Sequence, residues 1–256
     1  MRPCTEKLLM EPANSSEWRR RLRVARRRGS RVKICRFLQL LWLAAAAVPI
    51  GTNAGSGWDI PGYPSRVTAN DPREVAMLPK YCIHTRTFRH SVPGGNNAAE
   101  IKRLQAVSGP TYDALHHYCW GLMKTNRALF LTKEKRAKEF WLRGANDDYD
   151  YVIVRAAATF PLLPEILTKK GENLALLRDS GAELVLRQAI ELKRDYWPAY
   201  AALSDYYKGV GQLARSKEAL ERGLAVVPDT KPLLTRLSEL QGRPATAQTK
   251  STATID

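Results

Sequence analysis

The chain lacks the features that announce an enzyme or a membrane protein. It contains no Gly-x-Ser-x-Gly, no His-Glu-x-x-His and no lysine-bearing phosphate loop. The common nucleophile, zinc-hydrolase and nucleotide-binding arrangements therefore have no anchor in it. Gly209-Val-Gly211-Gln-Leu-Ala214 matches a dinucleotide fingerprint only formally, because it lies between two helical patterns and not after a strand. No cofactor is expected. The uncharged apolar run 37–48 falls short of the roughly 20 residues that a bilayer span requires. No cysteine closes that run, which excludes the usual lipid-anchored form.

Cysteine and histidine are scarce, at four each. Cys82-x-His84 and His117-x-Cys119 mirror each other, but one-residue spacings are not those of zinc sites, and no metal is expected. The pair Asp147 and Asp148 reads as helix-start residues rather than as an acid and a base.

What is present begins with arginine. Residues 19–28 read RRRLRVARRR, and the apolar run and then small residues follow. Basic flank, short apolar core and small residues together read as a signal peptide over 1–54, with cleavage expected after Ala54 and Ala47 as the alternative point. Uncleaved, it would be an inner-membrane anchor, the one expected membrane contact. The leader holds 12 basic and 3 acidic residues, so it takes +9 of the chain's net +16 and leaves +7. Most of the apparent nucleic-acid character thus sits in the leader, and nucleic acid is not an expected partner. The remaining excess suits an anionic surface, such as an acidic glycan.

Cleavage leaves two cysteines, Cys82 and Cys119. In a periplasmic or secreted protein the simplest reading of such a pair is a disulfide. Residues 55–76 form a Gly/Pro-rich linker, and 241–256 form a polar tail with little to bury.

The most informative pattern lies near the C-terminus, where Pro164, Pro198 and Pro232 stand 34 residues apart. Proline suits the first turn of a helix, and a fixed period of this length marks stacked helix pairs. The unit 197–230 is the clearest. Counted from Trp197, it has Tyr200 at position 4, Leu203 at 7, Ser204 at 8 and Tyr207 at 11. Ser216 falls at 20, Leu220 at 24, Gly223 at 27 and Pro228 at 32. The unit 163–196 is weaker. Ala182, Leu186 and Ala189 take positions 20, 24 and 27, Arg194 replaces the proline at 32, and Gly171 lies one place late.

These positions resemble the tetratricopeptide repeat. The resemblance implies an all-α fold, a right-handed α-α superhelix of stacked helix pairs over 163–240, with residues 231–240 as a capping helix. Residues 77–162 are expected to hold a degenerate first repeat. Its parts would be one long helix over 112–131, an inserted element over 133–143, and a second helix over 146–157 opened by its acidic residues. LPKYC (78–82) and HHYCWGL (116–122) also resemble segments of exported proteobacterial repeat proteins.

In that family a concave groove is lined from the first helix of each unit. Carried onto this chain, the groove positions are Ala201, Asp205 and Lys208, with Thr168, Glu172 and Asn173 in the weaker unit. Tyr196, Trp197 and Tyr206 are candidate anchors. No Lys and Asn cluster resembling a carboxylate clamp is present. The expected function is a non-enzymatic exported scaffold or adaptor that binds a cell-envelope protein or peptide. The alternative is a cell-wall or exopolysaccharide assembly factor that holds anionic glycan on a basic surface.

Overall fold

The structure, a computed structural model, describes residues 71–242. The expected signal peptide, most of the linker and nearly all of the polar tail lie outside the described residues. Within them the chain is all-α, with no strand among the described residues. It opens with a short helix α1 (Pro72–Ala76) and two 3-10 turns, Lys80–His84 and Phe88–His90. Helix α2 (Ala98–Ser108), a 3-10 turn (Gly109–Ala114) and α3 (Leu115–Asn126) follow, and α3 runs into a π turn, Arg127–Leu131. Then come α4 (Lys135–Ile153), α5 (Leu163–Leu176), α6 (Gly181–Leu192), α7 (Trp197–Gly209), α8 (Leu213–Val226) and α9 (Lys231–Leu240).

The helix starts follow local chemistry. Asp71 caps α1 by accepting from the Arg73 N–H at 2.8 Å. Asn97 caps α2 through the N–H groups of Ala99 and Glu100, and Glu134 caps α4 through those of Arg136 and Ala137. Each satisfies donors that have no partner inside the helix. Helices α5, α7 and α9 instead begin with proline in the first turn, at Pro164, Pro198 and Pro232.

Consecutive helices pack as neighbouring antiparallel pairs: α3 with α4, α5 with α6, and α7 with α8. Each pair also touches the next, and α7 contacts both α5 and α9. The pairs approach through missing side chains. A Cβ on Gly121 of α3 would lie 2.3 Å from the Tyr149 ring of α4, and one on Gly171 of α5 would lie 2.5 Å from Leu186 of α6. Gly223 of α8 repeats the arrangement against Leu233 and Tyr200. The glycine one place late in the weaker unit therefore still fills the small-residue role, because α5 turns Gly171 onto Leu186.

Polar contacts tie the pairs together. The Tyr118 hydroxyl donates to Glu165 Oε1 at 2.6 Å, linking α3 to α5. Burial, with the Glu165 carboxylate alongside, pushes the Tyr118 phenol well above its ordinary range, so it remains a donor. Asn173 donates to Thr125 at 2.8 Å, and Thr125 pairs with the Tyr149 hydroxyl at 3.0 Å, joining α3, α4 and α5. Glu183 of α6 accepts from Arg187 at 3.0 Å and from Arg215 of α8 at 2.6 Å. Both arginines also donate to the Tyr207 hydroxyl of α7.

The upstream region differs from expectation in three ways. Residues 112–131 are not one helix: Pro110 opens a 3-10 turn, and a π turn ends the segment. Residues 133–143 and 146–157 are not separate elements, because α4 runs unbroken from Lys135 to Ile153 under the Glu134 cap. Asp147 and Asp148 are accordingly mid-helix residues, and Asp148 is buried. The end of the expected linker is α1, whose Glu74 is wholly buried.

Two glycines of the α3–α4 pair separate packing from propensity. Gly121→Ala should destabilise by about 1–3 kcal/mol, since the new methyl displaces a buried tyrosine. Gly144→Ala on α4, where the nearest foreign atom is Lys124 Cδ at 3.6 Å, should be neutral or stabilise by up to about 1 kcal/mol. Thermal denaturation of the two variants checks the opposite signs.

The Glu183 network sets an acid response. Burial works to raise this carboxyl, but the hydrogen bonds of Tyr207, Arg187 and Arg215 prevail and hold it below its ordinary value of 4.5. A lowered folded pKa contributes stability that is complete above pH 4.5 and is lost as pH falls through the lower value. Glu183→Gln should cost no more than about 1 kcal/mol at pH 7. It should also flatten the decline in Tm between pH 5 and pH 3, which melting curves across that range will show.

Candidate functional site

The groove positions fall into two groups. Thr168, Asn173 and Ala201 are buried, at 1%, 1% and 4% exposure. Thr168 donates to the Pro164 carbonyl of its own helix, and Asn173 is held by Thr125. These three hold the helices together and cannot meet a partner, which corrects their assignment to the groove. Helix α5 turns Asn173 toward Thr125 of α3 rather than to solvent.

Glu172, Asp205 and Lys208 do reach the surface, and each has an intramolecular partner. Glu172 pairs with Lys169 at 2.9 Å. Asp205 accepts from Arg236 of α9 at 3.0 Å, and Lys208 lies 3.8 Å from Glu239 of α9. Salt bridges on the exposed surface thus cross from α7 to α9, while the α5 pair closes within its own helix. All of these side chains are substantially exposed, so each pair contributes little to stability and can exchange partners. Tyr196, Trp197 and Tyr206 are half-buried.

The Cys/His region is built as a structural tie. Cys82 and Cys119 form a disulfide, with Cα atoms 5.7 Å apart and both residues wholly buried. It fastens the Lys80–His84 turn to α3, where Phe88, Leu78 and Met123 pack around it. The two histidines face elsewhere. His84 Nδ1 contacts the Gly95 carbonyl at 2.8 Å, and His117 Nδ1 contacts Asp148 Oδ1 at 2.8 Å. The other Asp148 oxygen takes Lys124 Nζ at 2.7 Å. No group of three or more potential metal ligands occurs among the described residues.

A second tie lies beside it. Arg127, in the π turn, donates to both oxygens of Glu74 at 2.5 and 2.7 Å, and its guanidinium sits 4.8 Å from the Trp141 ring centroid. The side chains are 9% and 0% exposed. This buried, bidentate pair holds α1 on the α3–α4 pair.

One feature escaped the sequence reading. An open cleft of about 760 Å³ lies between the 84–90 segment, the start of α3 and the end of α4. Its ionisable lining is Arg86, Arg89, His90, Asp113, His116 and Arg155. These residues come from stretches up to 69 positions apart, so no local motif marks them. The signal that could have pointed there was the basic character of 86–90 (RTFRH).

Comparison of the chain with protein-family models, with curated proteins and with solved structures gave no match. Among the described residues no helix is long and apolar enough to cross a membrane.

Replacing both Cys82 and Cys119 by serine should lower stability by roughly 4 kcal/mol, the chain-entropy value for a loop of this length. Urea unfolding with and without reductant tests this: reductant should shift the parent protein and leave the double variant unchanged.

Proposed function

We propose that the protein is an exported, non-catalytic scaffold of the tetratricopeptide kind, which docks an extended segment of a cell-envelope protein on the face shared by α5, α7 and α9. One observation carries the reading. The three helices that begin at Pro164, Pro198 and Pro232 pack side by side at a 34-residue interval, each backed by the helix that follows or precedes it. Repetition of one unit at one phase builds a continuous wall, and such walls serve as binding surfaces. The Cys82–Cys119 disulfide supports an oxidising compartment.

The chemistry of the wall narrows the partner. Its exposed groups are mostly charged and already paired across α7 and α9. A partner segment carrying both signs of charge can take over the Asp205–Arg236 and Lys208–Glu239 pairs at small net cost, since exposed pairs are worth about 1 kcal/mol or less. Affinity then comes from a few aromatic anchors beside the charges. Tyr206 and Trp197, both half-buried on α7, fill that role.

Crosslinking in intact cells, affinity recovery and mass spectrometry test the reading. One dominant envelope protein is expected. The Asp205→Lys, Lys208→Glu double variant should reduce its recovery at least tenfold while leaving the melting temperature within a few degrees. Undiminished recovery by that variant would remove the wall as the docking surface.

A further inference from the structure

The cleft at the end of α4 gathers basic side chains from the 86–90 segment, the start of α3 and the end of α4. Three guanidiniums, from Arg86, Arg89 and Arg155, line it with the imidazoles of His90 and His116, against the single carboxylate of Asp113. That carboxylate reaches only Arg86, at 3.7 Å, with both side chains well exposed. A contact of this kind neutralises little. Arg89 is oriented by its neighbour, with Nε donating to His90 Nε2 at 3.0 Å. Arg155 is held by the Tyr151 carbonyl at 3.0 Å and by the Tyr151 ring, 3.5 Å below its guanidinium carbon. These contacts fix the guanidiniums in place without cancelling their charge. Among the described residues no carboxylate lies within ion-pair distance of Arg89 or Arg155.

Two further observations define what fits. The volume is that of a small-molecule site and far exceeds a single inorganic ion. The lining is polar, and its one phenol ring has no free face, because Tyr151 is stacked on His117 at 3.8 Å on one side and under Arg155 on the other. A ligand thus has no phenol face to stack on, and an apolar ligand has no wall to cover it. A hydroxyl-rich body carrying a compact anion meets both conditions. Three arginines less one aspartate leave a net +2 at the lining, which matches a doubly charged tetrahedral oxyanion, and guanidinium forks bind such groups through paired N–H donors.

We infer that this cleft is a binding site for a phosphorylated sugar, with the phosphate between Arg89 and Arg155 and the sugar hydroxyls toward His90, His116 and Thr87. The site is independent of the α5–α7–α9 wall and stands whether or not that wall docks a protein. It gives the anionic-glycan partner suggested by the charge of the chain a specific place.

Titration calorimetry of the full chain at low ionic strength with glucose 6-phosphate tests the inference. Saturable binding is expected, at least tenfold tighter than that of inorganic phosphate and absent for glucose. Arg89→Gln and Arg155→Gln should each weaken it at least tenfold, while Arg222→Gln on exposed α8 should leave it unchanged. Asp113→Asn should tighten it about threefold, a gain that no unfolding could mimic. Binding of inorganic phosphate as tight as that of the sugar phosphate would overturn the sugar assignment. No binding, or equal weakening by Arg222→Gln, would overturn the site.

Discussion

Close approach of helix backbones is the constraint on which this structure depends. Three of its helix pairs meet where one partner has no side chain: Gly121 under Tyr149, Gly171 under Leu186, and Gly223 under Leu233 and Tyr200. A methyl group at any of these points would sit inside the van der Waals envelope of a buried neighbour. Interiors packed to the density of organic crystals have no slack to absorb it. The glycines therefore set the distance between axes, and that distance decides which polar atoms can meet. The Thr125–Tyr149–Asn173 chain and the buried Ser204–Ser216 contact at 2.7 Å both require it.

The N-terminal part of the described chain cannot use this device. Residues 71–92 form only a five-residue helix and two 3-10 turns, too short to bury a helical face. Two specific links add to the small core of Leu78, Phe88 and Met123. The disulfide fastens the Lys80–His84 turn to α3, and the buried Glu74–Arg127 pair fastens α1 to the π turn. A buried ion pair is weak evidence of net stability, because desolvation offsets most of the attraction, but breaking it strands a charge and is costly. Its value here is positional. Arg86, Arg89 and His90 lie on the segment that follows these anchors, so the cleft inherits its geometry from them.

Legibility in the sequence followed the range of the interactions involved. The starts of α5, α7 and α9 could be read from proline alone, and α9 was expected within its observed bounds, because first-turn proline is a local rule. The disulfide was legible from cysteine number. Helix α4 was misread because Asp147 and Asp148 look like a helix start. The true cap is Glu134, and Asp148 is used from mid-helix to hold His117 and Lys124, a tertiary demand that leaves no local mark. The groove failed for a related reason. Asn173 and Ala201 are of types that suit a surface or an interior equally well, and only the packing of α5 on α3 and of α7 on its neighbours decides between them. The cleft was invisible because its cations are adjacent only after folding.

Charge pairing separates the two candidate surfaces of this protein more sharply than composition does. Between α7 and α9 the charges close on one another in the Asp205–Arg236 and Lys208–Glu239 pairs, so their field falls off at short range. In the cleft the guanidiniums of Arg89 and Arg155 are held by an imidazole, a carbonyl and a ring face, none of which carries an opposing formal charge. Their charge lines a concave surface, the geometry that concentrates an oppositely charged ligand before contact. Under the two proposals the first surface discriminates among docked chains, and the second draws a small anion from solution. A net positive charge spread evenly over the molecule could do neither.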